Sequence, residues 1–593
     1  MSEQTIPTDS QPGEKVPRVP GVGERIRAIW STWSRRFFTM GEDRLFLFLS
    51  VLIGIFSGLS VVCFRVAIEW TQLTLLGSTL SPRVPRVFLA PAISGLAVAL
   101  LVIYLFPRAR GSGVNQTKAA VYVSNGYIPF STVIGKFITC SLAIGSGQSL
   151  GPEDPSLQMG AGIASAIGRY LKLSQVRVRL IAPVGAAAGL AAAFNAPISA
   201  VLFVIEEVIG TWSAGVLGAI VLAAVSSVVT MRWFLGADAL FRVPAMQIVR
   251  PAEYLAYAIL GVVGGLVSLL FLKWIEYARP RIQALPSSSE YLLPAAAGLF
   301  IGFIGIRLPQ IMGAGYPVID EALHGEFTWK LLLLLAFFKI FATGLSFLSG
   351  TPGGLFAPTL YIGAMLGGAV GAIEHHFFPS LTGTVGTFAL VGMGTLFAGF
   401  LRIPITSIFM VIEVSGSYTA ILPVMVSSLI AYLISHSYHQ VSLFDMLSRQ
   451  DGMSLPSIEE RREHVSLVVE DAMRREGAIV VSPHDPVQKL VRNGASHQDQ
   501  ALLMCVRVGE WRILDPDDVK RLAADNETAH IAAEVNSRGP LPLIFPDEPL
   551  DEVLRWTGDW SVLPVVNRAD LGELEGILTL ADILLAFRRA AAD

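Results

Sequence analysis

Apolar segments recur along this chain near residues 45–70, 87–107, 131–147, 155–172, 178–209, 213–235, 254–276, 292–307, 330–349, 355–374, 385–401 and 404–436. Several are shorter than the ~20 residues a hydrocarbon core requires, and others are interrupted by Gly and Pro. A broken helix at membrane depth exposes backbone N–H and C=O groups, so it must line a cavity or be buried in protein. This is the pattern of discontinuous helices in ion and solute carriers. After residue 450 the pattern changes to short β-like runs alternating with amphipathic helical stretches.

Composition sharpens the division. Of 593 residues 52% are apolar and only 15% charged, which excludes an ordinary soluble globule. Charged side chains number 10 in residues 1–40, 40 in residues 41–450 and 41 in residues 451–593, so a polytopic membrane domain is expected to give way to a soluble one near residue 450. The first 450 residues sum to +8 and the last 143 to −11, and neither part suggests a nucleic-acid partner. Cys63, Cys140 and Cys505 are too far apart for a disulfide framework or a metal motif and are expected to be reduced thiols. Residues 1–40 lack the apolar core of a signal peptide and are expected to form a cytosolic tail. Lys15, Arg18, Arg25, Arg27, Arg35 and Arg36 ahead of the first span place the N-terminus inside, while Arg83 and Arg86 argue the other way.

The strongest signal is an internal repeat at an offset of 203. Lys136–Gly168 aligns without a gap on Lys339–Gly371 with 11 of 33 positions identical, among them Lys136/Lys339, Gly151/Gly354, Pro155/Pro358 and Gly160/Gly363. Upstream, Gly111-Ser-Gly113 pairs with Gly313-Ala-Gly315; downstream, the segment from Pro197 to Glu206 pairs with the segment from Pro404 to Glu413. The membrane part is therefore a duplicated unit, and matching breaks in the two halves point to a site at the repeat interface. Register alone does not fix the relative orientation of the halves. The tail also repeats, at an offset of 63: residues 481–487 match residues 544–550, each a strand, a turn and a helix start.

The breaks themselves carry chemistry. Gly147-Gln-Ser-Leu-Gly151-Pro-Glu153-Asp154-Pro155 and Gly350-Thr-Pro-Gly-Gly354-Leu355-Phe356-Ala357-Pro358 both place Pro where a helix begins. Exposed N–H groups and the positive dipole end at such termini attract an anion without a full positive charge. An intramembrane carboxylate at one of them, Glu153, is costly unless functional; it can occupy an anion site and leave it when protonated. Its alternative is a cap on the half-helix. Asp154 either adds a second acid that couples to Glu153 or caps N–H groups facing solvent. Lys136 and Lys339 either lend positive potential to a pathway or serve as buried or snorkelling counter-charges. His375, His376, His436 and His439 lack acids at ligand spacing and are expected in loops, not in a metal site. No Gly-Lys-Ser/Thr string supports an ATP-driven pump.

Gly-Ser-Gly at 111–113, Gly-x-Glu-x-Pro at 151–155, the Glu206-Glu207 pair and Gly-Leu-Phe-Ala-Pro at 354–358 together resemble the CLC chloride channels and proton-coupled chloride transporters over about residues 41–445. The resemblance implies that Glu153 is the external gating glutamate and that Ser112, beside Gly113, is the central anion-binding serine, with a helix N-cap as its structural alternative. It implies that backbone amides of Leu355 and Phe356 face the anion and that Glu207 is the inner proton-transfer glutamate, whose alternative is a helix-end acid in solvent. Glu206 and Glu413 are expected to be structural, pairing with backbone or with a base such as Arg402. The chain departs from the family at Asn115, where Pro is usual, at Asp154, where Gly is usual, and at Phe444, where the inner tyrosine should fall. The tail resembles tandem CBS domains, in which Thr579 and Asp582 would contact an adenine nucleotide; the first copy reads Asp515-Pro-Asp517-Asp518, so the pair is expected to be a structural or dimer-supporting module more than a nucleotide sensor.

The expected fold is an all-α polytopic membrane protein of two duplicated, inverted repeats with broken half-helices, at about 41–235 and 254–445, followed by a linker at 446–465 and a cytosolic α/β CBS pair at 466–593. The expected function is exchange of chloride for protons, with no cofactor and no enzymatic activity, in a homodimer in the lipid bilayer of a bacterial inner membrane, both termini cytosolic. The rivals are a passive chloride channel and a CBS-linked membrane sensor that transports nothing.

Overall fold

The computed structural model describes residues 42–77, 84–173, 175–210, 214–243, 251, 253–379, 383–453, 455, 467–488, 490, 501–524, 530–568 and 570–590. The expected tail at 1–40 and the expected linker beyond residue 455 lie outside the described residues. The chain divides into two compact units, within residues 1–458 and 459–593.

The first unit is helical throughout. Its first half contains α1 (Glu42–Leu75), α2 (Val84–Leu100, extended by a π-helical turn at Leu101–Leu105), α3 (Gly113–Tyr122), α4 (Phe130–Gly145), α5 (Glu153–Tyr170), α6 (Gln175–Phe194), α7 (Pro197–Phe203, extended by a π-helical turn at Val204–Ile209) and α8 (Ala214–Leu235). Its second half contains α9 (Glu253–Gln283), α10 (Ser289–Gly305), α11 (Tyr316–Leu323), α12 (Trp329–Leu348), α13 (Phe356–Phe377), α14 (Val385–Leu401), α15 (Pro404–Ser415) and α16 (Ile421–Tyr438), and α17 (Leu443–Gln450) closes the unit. Each helix of the first half has its counterpart in the second, and α5 and α13 begin 203 residues apart, as the repeat requires. Among the described residues eight helices are long and apolar enough to cross a membrane. The apolar segment 178–209 is two helices, broken where Asn195 takes a left-handed φ of 56° just before Pro197; the segment 404–436 breaks at Gly416, also left-handed.

Two sets of contacts give the orientation of the halves. Gly151 and Gly354 exchange N–H···O bonds of 2.8 Å in an antiparallel bridge. Glu206, near the end of α7, accepts from the Thr406 N–H (3.0 Å) and hydroxyl (2.8 Å) at the start of α15, while Glu413, near the end of α15, accepts from the Ile198 N–H (3.0 Å) and Ser199 N–H (2.7 Å) at the start of α7. Equivalent helices that cap each other end to start run antiparallel, so the two-fold relating the repeats lies across them and the repeats are inverted. These are the backbone partners expected for both acids. Arg402 is engaged elsewhere, donating to the Ser435 carbonyl at 3.0 Å. Loss of an anionic cap costs roughly 1–2 kcal/mol. Glu413→Ala is expected to lower the thermal midpoint of the detergent-purified protein, and Glu413→Gln, which keeps one acceptor, to lower it less.

Small residues allow the half-helices to cross. A side-chain carbon on Gly160 of α5 would fall on the Gly185 carbonyl of α6, and one on Gly363 of α13 would fall on the Gly392 carbonyl of α14. Backbone contact of this kind is how membrane helices gain packing without a hydrophobic drive, and it explains why Gly160 and Gly363 are among the repeated positions. Three of the four histidines sit on helix ends instead of in loops, His375 and His376 on the last turn of α13 and His436 on the last turn of α16, while His439 lies in the loop directly after it.

In the second unit β1 (Ala478–Val481) pairs parallel with β2 (Ala501–Arg507), which pairs antiparallel with β3 (Glu510–Leu514). Helix α18 (Pro516–Ala523) follows, and β4 (Ser537–Arg538) adds to the far edge of β3. The order then recurs. Ile544 bridges parallel to Val565 of β5 (Leu563–Val566), with the short α19 (Leu550–Val553) between them; β5 pairs antiparallel with β6 (Leu574–Leu578), and α20 (Leu580–Ala590) follows. Both copies therefore run strand, helix or connection, two strands, helix. On the surface of this unit the Arg568 guanidinium bonded to Asp547 holds that carboxyl below the usual carboxylate range.

Candidate functional site

The two half-helix starts meet at the Gly151–Gly354 bridge. This bridge sets Glu153, the first residue of α5, beside the start of α13, and its Oε2 accepts from the Ala357 N–H at 3.3 Å. The amide that meets this carboxylate is thus one residue beyond the expected pair Leu355 and Phe356, both of which are buried at the same turn. Glu153 is fully buried, and its Oε1 has no hydrogen-bond partner among the described residues. A carboxylate in this place takes the position of an anion at a helix start.

Asp154 points instead to the start of α3 in its own repeat. Its Oδ2 accepts from the Ser112 hydroxyl at 2.9 Å and its Oδ1 from the Val114 N–H at 2.8 Å, at the first turn of α3. Of the two roles weighed for it, the capping geometry is present, but Asp154 is 1% exposed, so the capped groups do not face solvent. Gly113 is required here: a side-chain carbon would lie 2.7 Å from Asp154 Oδ1. The turn leading into α3 is tied from behind by Lys136, whose ammonium donates to the Gly111 carbonyl at 2.6 Å; its repeat partner Lys339 donates to the Gly313 carbonyl at 2.7 Å and lies 4.6 Å from the Tyr361 ring centre. Both lysines are fully buried and hold equivalent loops through backbone carbonyls.

Phe356 forms the apolar side of the site. Its ring centre lies 5.1 Å from Phe203, 5.6 Å from Phe397, 6.2 Å from Phe194 and 6.2 Å from Phe444. Phe444, on the first turn of α17, packs edge-on to Phe203 at 6.4 Å and offers no hydroxyl to an anion. Phe203, Phe356 and Phe444 thus form one aromatic cluster, with no polar group from position 444.

Glu207 lies in the π-helical turn that ends α7 and is fully buried, unlike a helix-end acid in solvent. Its Oε1 is 2.7 Å from the Lys118 ammonium, which is also 2.8 Å from Asp445 Oδ1; Ser442 donates to Asp445 Oδ2 at 2.9 Å. The resulting Glu207–Lys118–Asp445 group joins α7, α3 and α17. Sequence reasoning gave Lys118 and Asp445 no role, although a lysine on the same short helix as Ser112 was a visible signal.

In the second unit the Thr579 hydroxyl and N–H both bond the Asp582 carboxylate, which also pairs with Arg474 at 3.1 Å. This is a helix cap on α20, and it already uses the groups expected to meet a nucleotide.

Residues 94–436 match the family model described as voltage gated chloride channel. The chain belongs to this CLC family. Among curated relatives, a ClcB-like protein of Ralstonia nicotianae named as a chloride channel is 31% identical over 420 residues, covering 68% of this chain and 97% of the relative. The protein named H(+)/Cl(-) exchange transporter ClcA of Vibrio campbellii is 32% identical over 430 residues, covering 68% and 91%. Among solved structures, a slow cyanobacterial Cl-/H+ antiporter aligns with a TM-score of 0.64 at 23% identity over 70% of this chain and 99% of that one. A eukaryotic CLC transporter aligns with a TM-score of 0.59 at 20% identity over 91% and 99%. The chain is accordingly a mostly helical integral membrane protein of the CLC fold with a small additional α/β unit, and not an enzyme.

Proposed function

We propose that this protein exchanges chloride for protons across the bacterial inner membrane as a homodimer with one pathway per subunit. The observation that carries the reading is Glu153: a fully buried carboxylate resting on the Ala357 amide, where the half-helices of the two repeats meet. Protonation removes its charge and its reason to stay on that amide, so a chloride ion takes the place it leaves. Glu207, buried among α3, α7 and α17, is the inner proton acceptor, and the aromatic plug of Phe203, Phe356 and Phe444 closes the anion route on that side. The separation of a polar proton station from an apolar anion boundary supports two routes that share only the central site. The names of the ClcA relatives support the same reading.

The test is proton movement into proteoliposomes holding an outward chloride gradient at equal pH on both sides. Coupled exchange acidifies the lumen against no initial pH gradient. Chloride efflux with no proton uptake would instead establish the passive channel.

The second unit is proposed to be a pair of cytosolic CBS domains that support the dimer, which places the C-terminus inside. The Thr579–Asp582–Arg474 cap favours this over nucleotide sensing. Addition of ATP or AMP to the full-length protein is expected to leave its thermal midpoint unchanged, whereas Thr579→Ala lowers the stability of this unit by about 1 kcal/mol through loss of the cap. A nucleotide-dependent rise in the midpoint that Asp582→Ala removes would restore the sensing role.

A further inference from the structure

Glu153 and Asp154 are adjacent in sequence, yet each is held by the start of a different half-helix. Glu153 takes an amide of α13 in the second repeat, and Asp154 takes the start of α3 in the first. The second contact set is the fuller one: the Ser112 hydroxyl and the Val114 N–H both serve Asp154. A serine hydroxyl has one proton to donate. While it is given to Asp154 it is not available to chloride, and a chloride ion within reach of these donors would overlap the carboxylate that already occupies them.

We propose that Asp154 is a second tethered carboxylate, which fills the anion position at the start of α3 so that chloride reaches Ser112 only when Asp154 swings away. This deepens the exchange reading and rests on it. A separate observation on the same turn points to a ligand there. The Asn115 side chain is 3% exposed, and neither its amide nitrogen nor its oxygen has a hydrogen-bond partner among the described residues. A helix turn that leaves a buried amide unmatched, beside donors held by a movable acid, is built for an occupant besides that acid. The charged group that acts on Asp154 is Lys136 on α4; Asp154 itself acts on Glu153 of its own helix and on Cys140 of α4, and Arg65 of α1 acts on Glu153. Lys136 already serves the Gly111 carbonyl. It therefore steadies the negative charge at this position without offering a chloride ligand of its own.

A tethered competitor lowers apparent affinity by the fraction of time the site is open; an acid that holds the donors in nine of ten molecules lowers it about tenfold. Asp154→Gly is therefore expected to bind chloride about tenfold more tightly than the parent by calorimetry in detergent. It is also expected to carry anions faster in proteoliposomes, with proton coupling retained through Glu153. Asp154→Asn keeps the shape of the cap but not its charge, and is expected to shift both quantities in the same direction by less. This variant alone decides the matter if the glycine variant does not fold. Chloride affinity and flux equal to or below those of the parent in the folded variants, with the parent transporting, would overturn the role of Asp154 and leave exchange intact. Absence of anion flux in the parent and in both variants would overturn exchange, and this inference with it.

Discussion

Glu153→Gln is expected to abolish proton movement while anion flux persists. On the proposed exchange mechanism the carboxylate alternates between an anion bound on the Ala357 amide, where the structure places it, and a neutral acid that leaves it, each departure carrying one proton. Glutamine is neutral at every pH and carries none. Its side chain keeps the size of the original and has no charge for the half-helix dipole to hold, so chloride occupies the vacated position without competition. Proton uptake driven by a chloride gradient should fall below detection, and chloride efflux from the same vesicles should remain or rise. Loss of both fluxes in a folded variant would mean that Glu153 is a structural cap on α13.

Lys118→Met is expected to have the largest effect on stability. The lysine stands between two buried carboxylates, 2.7 Å from Glu207 and 2.8 Å from Asp445. Removing one member of a buried charge group leaves the others without compensation in a poorly polarisable surrounding, at a cost of about 3–5 kcal/mol. The thermal midpoint of the purified protein should fall sharply. Combining Lys118→Met with Glu207→Gln and Asp445→Asn removes the uncompensated charge and should restore most of the loss, because neutral groups of the same shape need only hydrogen bonds. A single substitution as stable as the parent would show that water reaches this group, contrary to its burial. The position matters for function as well. A cation fixed beside Glu207 ties that acid to α3, the helix whose start bonds Asp154, so on the proposed mechanism the proton and anion routes share one element.

Much of this was legible in the chain before its structure. The offset of 203 matched Lys136 to Lys339 and Gly160 to Gly363, and the structure gives each pair one job: the lysines tie equivalent loops and the glycines let equivalent helices cross. Antiparallel capping by Glu206 and Glu413 was not legible as orientation, since a repeat in sequence carries no direction in space. Helices α3, α11 and α17 escaped the hydropathy pattern because each has ten residues or fewer, and α3 and α17 also carry polar side chains into the interior. For the same reason the Lys118–Asp445 contact was hidden: its members are 327 residues apart and become neighbours only when the helices that carry them are packed. That the Ala357 amide would meet Glu153 was not legible, because a backbone group leaves no mark in the sequence. Asp154 was visible as a departure at the gate. Which donors it would take depended on the meeting of two half-helices that only the fold supplies.

On the exchange reading chloride and protons move in fixed relation through one chain. That relation is tested most directly by the voltage at which net proton flux stops in proteoliposomes of the parent protein, clamped by potassium and valinomycin, at several chloride gradients. Coupled exchange predicts that this voltage moves with the chloride gradient at constant pH, and that the movement disappears in Glu153→Gln because no proton flux remains. A voltage set by the pH gradient alone, whatever the chloride gradient, would contradict the account.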